Sequence, residues 1–282
     1  MLLKRYSFLA FELVTFSHTL FVLPLILSGY LISFREFILL DFLLILIAAI
    51  SARTIGMLLN RIIDSKIDSE NPRTSSRPIP SKRATMKFVY SFLIGSLFFY
   101  FISCFFICEF IFMLSPIPII FFTVYPYTKR FTPFCHFFLG ASLALGPLAG
   151  SIASTCNIEG LYIVAPIVAF TLLWIAGFDI LYALQDFKHD LKYKIFSIPA
   201  IYGIKTAVKV SSVCFILSII CLIYHSIVFN YNFLSFLIIV IISINFFLQI
   251  TNTLKNNYSF FKYNSYIGFM ILILVISDIL FV

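Results

Sequence analysis

The residues best suited to chemistry fall in two short stretches. The first, NRIIDSKIDSENPRTSSRPIPS over residues 60–81, sets Asn60, Asp64 and Asp68 at four-residue intervals. The second, FDILYALQDFKHD over 178–190, carries Asp179, Asp186 and Asp190. On a continuous helix each set forms one stripe, because such spacings keep side chains on a single face. Tyr182 shares the face of Asp179. Five of the 12 acidic residues in the chain lie in these two stripes. Stacked carboxylates repel by roughly a few tenths of a kcal/mol per pair, and two such stripes in one bundle need a cation to hold them. Carboxylate and amide oxygens without clustered Cys or His suit a hard ion, Mg2+ before transition metals. Mg2+ retains waters and takes phosphate oxygens, so the stripes predict a site where a phosphorylated substrate binds through metal. Arg73 and Arg77 in the first stretch, Lys188 in the second, and Lys129 and Arg130 between them are available as direct phosphate partners. The simpler alternative, solvated loop charge at helix ends, accounts for one Asp better than for two phased sets.

The elements that must carry these residues are membrane helices. The chain has 282 residues, 61% hydrophobic and 11% charged, with a mean hydropathy of +1.05. Soluble domains carry roughly 25% charged residues. Spanning the hydrocarbon takes about 20 mostly apolar residues. Nine stretches qualify: 12–33, 38–62, 86–106, 108–126, 135–155, 160–184, 206–228, 232–252 and 264–282. Only Cys108 and Glu109 divide the third from the fourth. With the N-terminus in the cytoplasm, every Lys and Arg except Arg35 falls on the inner side, as the positive-inside rule requires. The net charge of +8 is thereby assigned to orientation in the bilayer, and nucleic acid is not an expected partner. The length allows one domain over 1–282. Lys4 and Arg5 precede an apolar run longer than the ~7–15 residues of a signal peptide core, so it is taken as a span. The six Cys have no zinc-like spacing and read as buried thiols. His18 precedes a Pro kink at Pro24 and reads first as a satisfied histidine of the bundle and second as a cavity residue, while His136 and His225 receive no role.

The two stretches resemble the aspartate-rich motifs of the UbiA-type intramembrane aromatic prenyltransferases. Asn60, Asp64, Asp68, Asn71, Arg73, Thr74, Arg77 and Pro78 match the first motif and the segment after it. Asp179, Tyr182, Gln185, Asp186 and Asp190, with the tail SIPAIYG at 197–203, are similar to the second. SARTIGMLLNR at 51–61 and YPYTKRFT at 125–132 look like further family segments. Three positions depart from the pattern. Arg61 stands where an Asp is common, as in the 4-hydroxybenzoate subgroup. His189 stands where another acid occurs, and Lys194 or Ile195 occupies the region of a usual Gly.

The resemblance implies an all-α polytopic bundle around a central cavity open to lipid, with Mg2+ as cofactor. It implies that Asn60, Asp64, Asp68, Asp179, Asp186 and Asp190 hold metal, with Asp64, Asp68, Asp186 and Asp190 catalytic. Lys129, Arg73, Arg77 and Arg130 would bind the diphosphate. Arg53, about two turns before Asn60, would meet an acceptor carboxylate, with Tyr125 and Tyr182 beside it. The implied activity is transfer of a polyprenyl group from polyprenyl diphosphate to a hydroxyaryl carboxylate such as 4-hydroxybenzoate, in ubiquinone or menaquinone biosynthesis. A bacterial inner membrane with cytoplasmic active-site loops is the expected location. Prenylation of 1,4-dihydroxy-6-naphthoate is the nearest alternative; a carboxylate-lined transporter is the alternative of another class. The Asp-Gly and Ala-Arg signature of CDP-alcohol phosphotransferases is not found in the sequence.

Overall fold

The computed structural model describes the backbone of residues 2–14, 19–33, 39–255 and 264–281, and the side chains of 7–14, 22–33, 39–255 and 264–280. His18 and Arg35 lie outside the described residues, as do the side chains of Lys4, Arg5 and Lys262. In chain order the helices are α1 (Leu2–Val14), α2 (Thr19–Ser33), α3 (Leu39–Ile63), α4 (Ser65–Glu70), α5 (Met86–Ile107), α6 (Glu109–Leu114), α7 (Pro116–Thr128), α8 (Cys135–Thr155), α9 (Leu161–Ala183), α10 (Phe187–Tyr193), α11 (Ile198–Val228), α12 (Phe233–Leu254) and α13 (Ile267–Phe281). A 3₁₀ turn, Leu184–Asp186, joins α9 to α10. There is no strand among the described residues.

Among the described residues seven helical segments are long and apolar enough to cross a membrane: Leu39–Ile63, Met86–Ile107, Glu109–Thr128, Cys135–Thr155, Leu161–Tyr193, Ile198–Val228 and Phe233–Leu254. Two shorter apolar helices, Val22–Ser33 and Ile267–Leu280, occupy the stretches of the expected first and ninth spans. Of the expected first span, residues 12–14 belong to α1 and 19–33 to α2, and 15–18 lie outside the described residues. The boundary at Cys108 and Glu109 is present: Cys108 is extended, with φ −173° and ψ 162°, and ends α5. The chain is an all-α integral membrane protein.

The helices cluster into two compact units, Met1–Leu20 with Ile38–Tyr127, and Phe21–Phe37 with Thr128–Val282. In the first, α3 packs on α5 and α1 packs on α3. α5 is apolar all round, so burial and not amphipathicity marks its inner face. Val89, Leu93, Ser96, Tyr100 and Cys104 are buried at helical spacing, while Phe98, Phe99, Phe105 and Phe106 are exposed, as lipid-facing side chains are. The Tyr100 hydroxyl donates to the Ser115 carbonyl at 3.0 Å, which meets the polar end of the ring inside the unit.

In the second unit α9 is central, flanked by α8 and α11. Phe170 and Trp174 are fully buried. Trp174 Nε1 donates to Asn264 Oδ1 at 2.7 Å, and Asn264 Nδ2 donates to Gln249 Oε1 at 2.7 Å, linking α9, α12 and the segment before α13. Interhelical bonds of this kind contribute about 0.6–2 kcal/mol each in a bilayer. Small residues let the backbones approach. A Cβ on Gly140 of α8 would overlap the Leu172 carbonyl of α9. α11 begins earlier than the expected span at 206. Ser197 caps it by accepting from Ala200 N–H, and Gly203 (φ +83°, ψ 164°) then breaks it. That conformation is available essentially to Gly alone. The SIPAIYG tail is therefore a capped helical turn set off from the long span by a glycine kink.

Candidate active site

The first motif is built at the end of α3. The helix stops at Ile63, and Asp64 takes φ −90° and ψ 1° before α4 begins. The expected continuous stripe is thus corrected: the three polar residues span a helix, a bend and a second short helix. Carbonyl bonding still bridges the bend, with Asp64 N–H donating to Asn60 O at 2.9 Å and Asp68 N–H donating to Asp64 O at 2.8 Å. Asn60 Nδ2 donates to Asp64 Oδ2 at 2.9 Å. Asp64 and Asp68 are both buried. Arg77 Nη1 reaches both oxygens of Asp68 at 2.7 Å, and Arg61 stands 4.0 Å from Asp68 Oδ2. Charge-assisted bonds of this type are among the stronger ones in proteins.

The loop after α4 folds so that Arg77 can return. Asn71 Oδ1 accepts from Arg73 N–H at 2.9 Å, and the Asn71 carbonyl accepts from Thr74 and Ser75. Thr74 Oγ1 donates to the Asp68 carbonyl at 3.1 Å. Arg73 is exposed. Arg83 holds the far side of the loop to α1, donating to Glu12 through both Nη atoms and to the Ser76 carbonyl at 2.6 Å.

Arg53 and Tyr125 come together within the same unit. The Phe122 ring stands 3.3 Å from where a Cβ on Gly56 would be, and one turn away Arg53 lies within electrostatic reach of Tyr125. The buried Nε of Arg53 has no hydrogen-bond partner among the described residues.

The second motif also departs from one continuous helix. α9 ends at Ala183, the 3₁₀ turn follows, and Asp186 takes φ −99° and ψ 4° ahead of α10. Tyr182 remains on α9 with Asp179, its ring 6.0 Å from that of Phe178. Asp190 is buried. Ser197 Oγ donates to Asp190 Oδ2 at 2.9 Å, while Lys129 and Asp186 lie within electrostatic reach of the same carboxylate. Arg130 is exposed beside Lys129. Lys194 takes φ +52° as the helix cap, and its N–H and that of Ile195 turn back to the Asp190 carbonyl. The loop that Gly commonly forms is thus made by a Lys in the left-handed region, at a cost of about 1–2 kcal/mol.

One residue in contact with the second motif escapes the sequence reading. His136 Nδ1 stands 2.7 Å from Asp179 Oδ2, and Ile198 N–H donates to His136 Nε2 at 3.3 Å. His136 is almost fully buried in α8. The signal available was a lone ionisable residue opening an apolar run, which in a membrane protein is functional by default.

The donor set fits a hard cation: every candidate ligand atom in both motifs is a carboxylate or amide oxygen. Among the described residues no group of three or more His, Cys, Asp or Glu side chains could by itself enclose a metal. Mg2+ characteristically binds through one or two carboxylates plus substrate phosphates, so an incomplete protein cage suits it.

Residues 22–276 match the UbiA prenyltransferase family. The chain belongs to that family. As a UbiA-family protein it is a prenyl-transferring enzyme. It is 27% identical over 237 residues to a 4-hydroxybenzoate octaprenyltransferase of Francisella tularensis, covering 82% of this chain and 81% of that protein. It is 37% identical over 150 residues to the mitochondrial 4-hydroxybenzoate polyprenyltransferase of Dictyostelium discoideum, covering 51% of this chain but 31% of that longer protein. The fold is similar to a UbiA homolog from Aeropyrum pernix K1 in its apo form, with a TM-score of 0.86, 26% identity, and coverage of 93% of this chain and 98% of that one. It also matches a UbiA homolog from Archaeoglobus fulgidus bound to GPP and Mg2+, with a TM-score of 0.68, 17% identity, and coverage of 96% and 98%. That last likeness is one of fold.

Proposed function

We propose that residues 1–282 act as one Mg2+-dependent polyprenyltransferase that joins a polyprenyl diphosphate to a hydroxyaryl carboxylate, 4-hydroxybenzoate foremost, in quinone biosynthesis. The observation that carries this is the burial of Asp64, Asp68 and Asp190 at the ends of apolar helices, in a UbiA-family chain whose relatives bear 4-hydroxybenzoate prenyltransferase names. Carboxylates at membrane depth are expensive and are retained for function.

In this reading Asn60, Asp64, Asp68, Asp179, Asp186 and Asp190 supply ligand oxygens. Mg2+, when bound, supplies the charge that stabilises diphosphate as a leaving group. Lys129 contacts the diphosphate directly, with Arg73 and Arg130 as exposed partners at its margin. Arg77 holds the Asp68 carboxylate in place and is a diphosphate contact only if it exchanges partners. The breaking C–O bond leaves an allylic cation, and the faces of Tyr125 and Tyr182 stabilise it by about 0.5–2 kcal/mol each. Arg53 pairs with the acceptor's carboxylate, and its Nε, which has no hydrogen-bond partner among the described residues, supports that duty. The ring carbon ortho to the acceptor hydroxyl forms the new C–C bond, diphosphate departs, and the ring proton passes to a basic oxygen of the released diphosphate or of a motif carboxylate. The distribution of Lys and Arg supports a cytoplasmic N-terminus and cytoplasmic motif loops, in a bacterial inner membrane.

The test is purified protein in nanodiscs with Mg2+, geranyl diphosphate and a panel of aryl acids that includes 4-hydroxybenzoate and 1,4-dihydroxy-6-naphthoate, read by mass spectrometry. One added prenyl group on 4-hydroxybenzoate is the expected result. Prenylation of the naphthoate alone reassigns the acceptor. No prenylated product from any acid, with cation flux in liposomes instead, sinks the enzyme in favour of a transporter.

A further inference from the structure

We infer that His136 is a positioning residue that works with the segment Phe196–Ile198 to set the spacing of the second motif's carboxylates for their cation; this rests on the prenyl-transfer reading above. The geometry begins with close packing of α8 on α9. Gly140 allows the Leu172 and Ala176 backbone to approach. One turn before Gly140 is His136, and one turn after Ala176 is Asp179, so antiparallel packing at the glycine sets the imidazole against the carboxylate. Ile198 N–H donates to Nε2. With Nε2 accepting, the proton of the neutral ring sits on Nδ1 and is donated to Asp179 Oδ2 at 2.7 Å. Asp179 Oδ1 is thereby presented for another partner.

The residue before Ile198 does the complementary work. Ser197 Oγ donates to Asp190 Oδ2 at 2.9 Å. Neighbouring residues of one turn thus hold the first and last carboxylates of the motif, one directly and one through His136. The turn is itself fixed from the other side. Phe196 N–H donates to the Lys129 carbonyl at 2.7 Å, and Cys135 Sγ lies 3.3 Å from the Phe196 carbonyl. Gly203 frees this turn from the direction of the long span that follows. Outer partners of this kind orient ligating groups and tune their affinity.

The chemistry names its own conservative replacement. A Gln amide separates its N–H donor and carbonyl acceptor by one carbon, as imidazole separates Nδ1 and Nε2 by Cε1. His136→Gln can therefore donate to Asp179 and accept from Ile198 together; His136→Leu can do neither.

The experiment uses the full chain in nanodiscs. With 15N-labelled histidine, one of the 4 His is expected to show the neutral Nδ1–H form and to vanish in His136→Gln; an Nε2–H form or a doubly protonated ring at this residue overturns the inference. Mn2+ binding is measured by electron paramagnetic resonance with inorganic pyrophosphate present. His136→Leu should bind Mn2+ about 10–100-fold more weakly, and His136→Gln within about 3-fold of wild type, the range seen when outer partners of a metal site are altered. A Leu variant that binds like wild type overturns the role. Thermal unfolding is followed in parallel. Should Leu prevent folding, His136→Asn, whose amide is one carbon short, decides on the same criterion. Wild type that shows the Nδ1–H form yet binds no Mn2+ and transfers no prenyl group sinks the prenyl-transfer reading, and the role of His136 with it.

Discussion

The two acidic motifs lie in different compact units, yet they are built alike. In each, a membrane helix ends and an Asp takes the sparsely populated bridge conformation, φ −90° and ψ 1° at Asp64, φ −99° and ψ 4° at Asp186. Backbones in that region recur at active sites. A short helix follows, and its fourth residue is a buried Asp, Asp68 or Asp190. A side chain from downstream then returns to hold that carboxylate. The difference lies in how each carboxylate is held. Asp68 is held by a cation, Arg77; Asp190 is held by a neutral hydroxyl, Ser197. In the first motif Asn60 and Asp64 are one turn apart and bond to each other. In the second, Asp179 and Asp186 are too far apart along the chain for that, so Asp179 is held by His136 from a neighbouring helix. Spacing decides whether local contact suffices or a second helix must help.

The sharpest way to break this parallel is at the two bridge residues. Asp64→Ala and Asp186→Ala should each lower prenyl transfer by about 10³-fold, on the scale of losing a key electrostatic group, while membrane insertion stays intact. Full activity in either one ends the equivalence of the motifs. Arg53→Ala is expected next, raising the acceptor KM about 10-fold or more with kcat little changed, the pattern of lost substrate binding; an unchanged KM releases Arg53 from the acceptor.

The two clasps should differ in size. Arg77→Ala leaves the buried Asp68 carboxylate to the more distant Arg61 and should cost about 2 kcal/mol, kept below the fully buried case because Arg61 remains 4.0 Å away and Arg77 is partly exposed. Ser197→Ala removes one hydrogen bond from a neutral donor to the Asp190 carboxylate and a helix cap, about 1 kcal/mol. Denaturant unfolding in detergent compares them, and equal losses would show that charge is not the distinction. Lys194→Gly has the smallest effect, a gain of a few tenths to about 1 kcal/mol as the left-handed strain is relieved. A loss of stability there would mean that the Lys side chain contributes more than its backbone costs.

Much of this was legible before the fold was known. Hydropathy locates α5, α8 and α9 to within a residue or two, because a bilayer demands long apolar helices whatever their neighbours. Both motifs stand out for the same reason, as ionisable residues in a chain that otherwise avoids them. The breaks at Asp64 and Asp186 were not legible, since periodicity assumes a continuous helix and no Gly or Pro marks either bend. The start of α11 was missed because SIPAIYG contains Pro and Gly, which here serve a capped turn and a kink.

By itself the sequence determined that this protein lives in a membrane and where most of its helices run, and it singled out the carboxylates, amide and guanidinium groups proposed to carry its chemistry, since each stands out by the cost of putting that residue type in hydrocarbon. Only the tertiary structure decided which side chains hold those groups. His136 meets Asp179 across 43 residues and Ile198 across 62. Such pairs arise where packed helices bring backbones within touching distance, and nothing in the local order of residues encodes them.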